Sequence, residues 1–177
     1  GGQPLAITNG LNFGSPEKTE VFWHLDQAVT GIADACRHLD LPVTGGNVSL
    51  YNETEGIPIL PTPMVGVIGL VERPEHITTQ FFQQAGDILL LVGETRPELG
   101  GSLYQHHKAG RLSGKAPQLD LTQEAKVQQV ILEVTRSGLV SSAHDLSHGG
   151  LALALVARCT EELGMEVDWN PELRPAL

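Results

Sequence analysis

The chain has 177 residues, enough for one domain or two small ones with a real core. With 11 Lys and Arg against 21 Asp and Glu it carries a formal charge of −10, which repels phosphate backbones and anionic lipid. Neither nucleic acid nor a membrane is therefore an expected partner, and an anionic ligand needs a local site. Hydrophobic residues at 41% and charged residues at 18% exclude wholesale disorder. The two cysteines, Cys36 and Cys159, form no Cys-x-x-Cys pair, which excludes a thiolate zinc site or disulfide framework and suits a reducing, cytoplasmic setting.

Residues 4–9 read as a short buried strand, with 11–16 as the loop leaving it. A helix follows, because Phe22, Leu25, Val29, Ile32, Cys36 and Leu39 recur at spacings of three and four. Ser15 can cap it with Pro16 in the first turn, or Thr19 can cap a later start, and Pro42 ends it. Residues 42–52 predict a strand broken at Gly45-Gly46, and 58–71 one or two more, with Pro61 and Pro63 confined to an edge or a strand start.

The polar stretch from Glu72 to His76 is a connector, which sets two domains, 1–76 and 77–177. In the second, Ile88 to Val92 reads as a strand buried on both faces, and Thr95 with Glu98 has capping-box spacing for a helix through about His107. Thr122 to Ser137 predicts an amphipathic helix buried through Val127, Val130, Ile131 and Val134, with Gly138 as its stop. Leu139 to Ala143 predicts a strand, Gly149 to Leu163 a helix, and Met165 to Trp169 a final strand. The start, Gly1-Gly2-Gln3-Pro4, has neither an initiator Met nor a signal pattern and reads as a continuation of a longer polypeptide.

Three segments carry candidate chemistry. In Thr44-Gly45-Gly46-Asn47-Val48-Ser49, with Glu53 following, bare glycines admit a phosphate while the Asn and Glu oxygens are hard donors of the kind Mg²⁺ prefers. The same letters also describe a β-bulge and turn, and Asn47-Val48-Ser49 matches a glycosylation sequon without a secretory signal to support it. In His144-Asp145-Leu146-Ser147-His148-Gly149-Gly150, a polar turn enters a helix start that favours an anion, or Asp145 or Ser147 simply caps that helix. His144, Asp145 and His148 are too few to close a metal site. In Thr8-Asn9-Gly10-Leu11-Asn12, two Asn side chains follow a strand, as a ligand site there or an ordinary turn would require.

Together, Ile7-Thr8-Asn9-Gly10-Leu11-Asn12-Phe13-Gly14-Ser15-Pro16-Glu17-Lys18, Gly45-Gly46-Asn47-Val48-Ser49-Leu50-Tyr51-Asn52-Glu53, Pro61-Thr62-Pro63-Met64-Val65-Gly66 and Ala143-His144-Asp145-Leu146-Ser147-His148-Gly149-Gly150-Leu151 resemble the phosphoribosylformylglycinamidine synthase family. This family of purine-biosynthesis ligases sits in the aminoimidazole ribonucleotide synthetase-like superfamily, and the Phe13 to Lys18 segment separates it from selenophosphate synthetase and thiamine-monophosphate kinase. The resemblance implies an α/β, PurM-like fold: the end of an N-terminal-type ATP-binding module, then most of a C-terminal-type αβ module.

It also implies ATP and Mg²⁺ as cofactors and formylglycinamide ribonucleotide as substrate. Its formyl amide oxygen is activated by ATP, and ammonia then displaces phosphate to give the amidine. Asn9 and Gly46 fall at ATP-contacting positions, Asn47 at a Mg²⁺ position and Ser49 at a substrate position. Asn9 stands where the family often has Asp, one negative charge fewer beside the nucleotide. The family's catalytic His lies in the missing first half of the parent chain, so this chain is not expected to turn over by itself. Implied partners are that half, a glutaminase subunit or domain, a small accessory subunit and a second copy of the chain. The reading from another class is a non-catalytic nucleotide-binding or assembly module.

Overall fold

The computed structural model describes residues 1–167 as a mixed α/β protein that divides into two compact units, one of Gly2–Glu72 and one running on from Arg73. In the first, β1 (Gln3–Asn12) is the middle of a three-stranded sheet. On one side it pairs in parallel with β2 (Val43–Ser49), and on the other in antiparallel with β5 (Thr62–Leu70). A parallel pair needs a crossover connection, which α1 (Thr19–Leu39) supplies. Two short strands, β3 (Glu53–Thr54) and β4 (Ile57–Pro58), form a small hairpin between β2 and β5.

The strand predicted over 4–9 runs three residues further, so Asn9 and Asn12 lie within β1 and not in a loop. The reason is pairing: β2 and β5 flank β1 as far as Asn12 and satisfy its backbone from both sides. The expected break in β2 falls at Thr44, where the register slips between Ile7 and Thr8. Both glycines beyond it continue the ladder. Pro63 sits in β5, whose outer side pairs with nothing among the described residues, as its missing N–H requires.

Helix α1 begins at Thr19 with Lys18 at the cap position and no side-chain cap, so neither Ser15 nor Thr19 caps it. It stops before Pro42, at Asp40, whose left-handed backbone (φ 53°) lets Leu41 N–H reach the Cys36 carbonyl. The core gathers Leu11, Phe13 and Val21, with Leu25, Ala28, Ile32 and Leu50 packed on it. The buried stripe is thus rotated from the predicted one: Leu25 and Ile32 belong to it, whereas Phe22 is 57% exposed.

In the second unit α3 (Leu121–Arg136) forms where predicted, capped by Asp120, whose carboxylate accepts from the Thr122 and Gln123 N–H groups. Those bonds hold the Asp120 carboxyl below its usual pKa. Val127, Ile131 and Val134 are half-buried, whereas Val130 is exposed. The helix expected over 95–107 is instead α2 (Leu103–Ala109), because Ser102, not Thr95, takes the cap bond, accepting from Gln105 N–H at 3.1 Å. Thr95 and Glu98 are followed by Gly100-Gly101, where a left-handed Gly101 (φ 70°) interrupts any helix.

Ile88 to Val92 forms no strand: no segment among the described residues pairs with it in a ladder, and Ile88 is 85% exposed. The strand expected over 139–143 reduces to one parallel bridge between Thr79 and Ser142. The helix expected over 149–163 shortens to α4 (Gly150–Val156). Met165 to Val167 are not strand, and residues 168–177, including the rest of that expected strand, lie outside the described residues. No helix among the described residues is long and apolar enough to cross a membrane.

Phe13 is 1% exposed at the centre of the first unit, so Phe13→Ala should destabilise it by about 3–5 kcal/mol. A urea melt followed by circular dichroism at 222 nm checks this, since α1 packs on that core through Val21, Leu25, Ala28 and Ile32.

Candidate functional site

The sheet brings two of the three candidate segments together at the carboxyl ends of β1 and β2. Parallel pairing sets Asn9 beside Gly46, Gly10 beside Asn47 and Asn12 beside Ser49. Side chains alternate faces along a strand, so Asn9 and Gly46 share one face while Asn47 and Ser49 share the other. The four candidate residues are therefore neighbours on the lattice but not convergent on one face.

Two close approaches explain the glycines. A Cβ on Gly46 would overlap the backbone oxygen and side-chain amide of Asn9, so the Asn9 carboxamide lies across a bare backbone there. Across the pair, a Cβ on Gly10 would come within 3.1 Å of Asn47 Oδ1. Because β2 is an edge of the sheet among the described residues, a ligand lying along that edge reaches Gly46 and the overhanging Asn9 amide on one face. On the other face it reaches Asn47 and Ser49.

Beyond the strands the two chain exits stay joined. Phe13 N–H donates to the Ser49 carbonyl at 3.0 Å, Tyr51 N–H to the Gly14 carbonyl at 3.0 Å and Asn52 N–H to the Phe13 carbonyl at 3.2 Å. Tyr51 adopts φ 60°, a left-handed conformation costly for a side chain of its size. The Asn52 side chain faces Ser49, with Oδ1 accepting from the Ser49 hydroxyl at 3.3 Å.

Glu53 is the reading that the structure changes most. The sequence offers its carboxylate beside Asn47 as a metal ligand, yet the structure spends it on structural bonds. Oε1 accepts from Ser15 N–H at 3.0 Å, and Lys18 Nζ sits 2.9 Å from the carboxylate. Lys18 also donates to the Gly56 carbonyl at 2.8 Å, and Gly14 leaves room for Pro58 and Glu53 to pack against the loop. The start of α1 is thus clamped to the β3–β4 hairpin. No local pattern in the sequence pairs Lys18 with Glu53, since 35 residues separate them.

Mg²⁺ needs near-octahedral oxygens, commonly one or two carboxylates together with phosphate oxygens. With Glu53 committed, Asn47 Oδ1 has no free carboxylate grouped with it among the described residues. Among the described residues, no group of three or more His, Cys, Asp or Glu side chains is placed to hold a metal. The donor set therefore does not form a Mg²⁺ site by itself. The turn at 144–150 adds none: His144 Nδ1 pairs with Asp145 Oδ1 at 2.9 Å, and His148 lines the same cavity of about 280 Å³ without closing a ligand set. Its helix α4 spans only seven residues, with no side-chain cap from Asp145 or Ser147, too short for the expected anion site.

Two family models match the chain: the N-terminal domain of AIR synthase related protein over residues 1–71, and its C-terminal domain over 84–177. Among solved structures, PurLQS from Thermotoga maritima aligns at 42% identity over 45% of this chain and 13% of that one, with a TM-score of 0.41. T. maritima PurL complexed with ATP aligns at 44% identity over 38% of this chain and 11% of that one, with a TM-score of 0.36. The PurL complex with AMPPCP gives 44%, 38%, 12% and 0.35 for the same quantities. The match thus spans about an eighth of the length of those proteins.

The clamp makes a pH prediction. Hydrogen bonding from Lys18, then from Ser15 N–H, lowers the Glu53 pKa below 4.5. A lowered carboxylate pKa contributes stability fully present above the unfolded value and lost as pH falls through the folded value. The first unit should therefore lose stability on acidification below about pH 4.5, and Glu53→Gln should remove part of that dependence. Urea melts from pH 7 to 3 on both proteins measure it.

Proposed function

The chain belongs to the AIR synthase related protein family, and from that premise we propose that it is the nucleotide- and substrate-binding portion of a phosphoribosylformylglycinamidine synthase, an ATP-dependent C–N ligase. The observation that carries this reading is the register of β1 on β2, which sets two of the four segments of the family resemblance side by side, with Asn9 beside Gly46 and Asn12 beside Ser49. On this reading residues 1–76 are the end of an ATP-binding module and 77–177 most of the αβ module that follows it.

Asn9 and Gly46 then take ATP. The bare backbone of Gly46 makes room for the Asn9 amide, which leans over it and supplies a neutral hydrogen-bonding group where a carboxylate would repel a phosphate. Asn47 would offer its carboxamide oxygen to a Mg²⁺ ion held mainly by groups outside this chain, and the ion would supply charge neutralisation of the phosphates. Ser49 contacts formylglycinamide ribonucleotide. These are two amides, a hydroxyl and a bare glycine, none of which gains or loses a proton near neutral pH. They bind and orient, so the chain by itself binds without turning over.

The parent enzyme completes the reaction with its first half and with ammonia delivered by a glutaminase subunit or domain, assisted by a small accessory subunit, in the cytoplasm. A second copy of the chain is a further partner, supported by sheet side chains such as Met64, Val65 and Val67 that stay more than half exposed.

Calorimetric titration with ATP should show binding that is stronger with Mg²⁺ and weakened about tenfold by Asn47→Ala, the scale of one lost charge-assisted contact. Gly46→Ala should weaken ATP binding with or without Mg²⁺. No binding by a folded protein would sink the reading. Light scattering should find a concentration-dependent dimer, and a monomer at high concentration would refute self-association.

A further inference from the structure

Asn52 carries no assigned role, yet its side chain makes more contacts at the junction of the two strand exits than any candidate residue. Its Nδ2 lies 3.0 Å from the Phe13 carbonyl, 3.0 Å from the Ser49 carbonyl and 3.1 Å from Ser49 Oγ. Its Oδ1 lies 3.3 Å from the same hydroxyl. Two of these neighbours are carbonyl oxygens with no hydrogen to give, so the amide must turn its NH2 toward them. A flipped amide would set oxygen against oxygen. The orientation of the side chain, and with it the partner offered to the Ser49 hydroxyl, is fixed by β1 on one side and β2 on the other.

We propose that Asn52 is the positioning residue for Ser49, holding its hydroxyl at the sheet edge and tying the β1 exit to the β2 exit so that the substrate contact is preorganised. This rests on the reading of Ser49 as a contact to formylglycinamide ribonucleotide. A serine left to itself samples three rotamers of similar energy, and selecting one in advance is what a bound substrate would otherwise have to do. Asn52 has the means. Its backbone is pinned at both ends, by Asn52 N–H to the Phe13 carbonyl and by Ile59 N–H to the Asn52 carbonyl at 3.0 Å. The strained turn at Tyr51 leads directly into it, and Glu53 next along the chain is clamped by Lys18. Asn52 reaches ligand only through Ser49, and so acts on affinity for the group that Ser49 holds.

The test is a double-mutant cycle in the full-length polypeptide that carries this chain, assembled with its ammonia source, reading KM for formylglycinamide ribonucleotide and for ATP. Asn52→Ala and Ser49→Ala should each raise the substrate KM about tenfold, leave the ATP KM within about twofold, and together raise it no further than the larger single effect. A merely structural role would instead move both KM values and multiply with Ser49→Ala. Either that result or an unchanged substrate KM in Asn52→Ala overturns the inference while leaving the substrate reading of Ser49 in place. A silent Ser49→Ala overturns the substrate reading, and the inference falls with it. Should Asn52→Ala not fold, Asn52→Asp, which has the same shape without the NH2, takes its place in the cycle.

Discussion

Strand β1 is the constraint on which the first unit depends, because it is paired on both sides. Its parallel partner β2 can be reached only through the crossover helix α1, and its antiparallel partner β5 only after the β3–β4 hairpin has turned the chain. One residue of slip between β1 and β2 would exchange the faces of every side chain on β2. The bulge at Thr44 absorbs such a slip before the glycines, pinned by the Thr44 hydroxyl on the Ile7 carbonyl and the Thr8 hydroxyl on the Gly45 carbonyl. The register beyond it is therefore definite, and Asn9 faces Gly46 and not Asn47.

That register also separates two kinds of work. The Asn9 and Gly46 face continues into Leu11 and the core beneath α1, where burial holds the backbone still. The Asn47 and Ser49 face is open. A ligand at the β2 edge thus meets rigid support from one side and accessible polar groups from the other, and binding groups need such a combination if they are to be both placed and reachable. The charges nearby follow the same division. Glu53 and Lys18 neutralise each other in the clamp, which leaves that carboxylate of a strongly acidic chain without a net field of its own.

Much of this was legible in the letters, and the exceptions share a cause. Helix α1 announced itself through its three- and four-residue spacing, and α3 through its periodicity and Gly138 stop, because local periodicity is written in the sequence. Ile88 to Val92 looked equally convincing as a strand, but an all-apolar run has no period and says nothing about whether a partner lies alongside. Thr95 with Glu98 had the right capping spacing, and Ser102 took the cap because the glycines at 100–101 let the helix begin after them. The site shows the same limit. The glycines and amides were visible as a cluster of ligand-type residues, whereas the Glu53 to Lys18 bond and the grip of Asn52 on Phe13 and Ser49 span 35 and 39 residues for their longest links.

By itself, then, the sequence determined the chemical inventory, the α/β character, the two strongest helices and the family resemblance, since each is a matter of residue type and short-range spacing. Only the tertiary structure decided that Glu53 is a clamp and not a metal ligand, that Asn9 leans over Gly46, and that Asn52 donates to the Phe13 carbonyl. Those assignments depend on which of several equally competent partners the strand register brings within 3 Å, and register is a long-range property that no local pattern encodes.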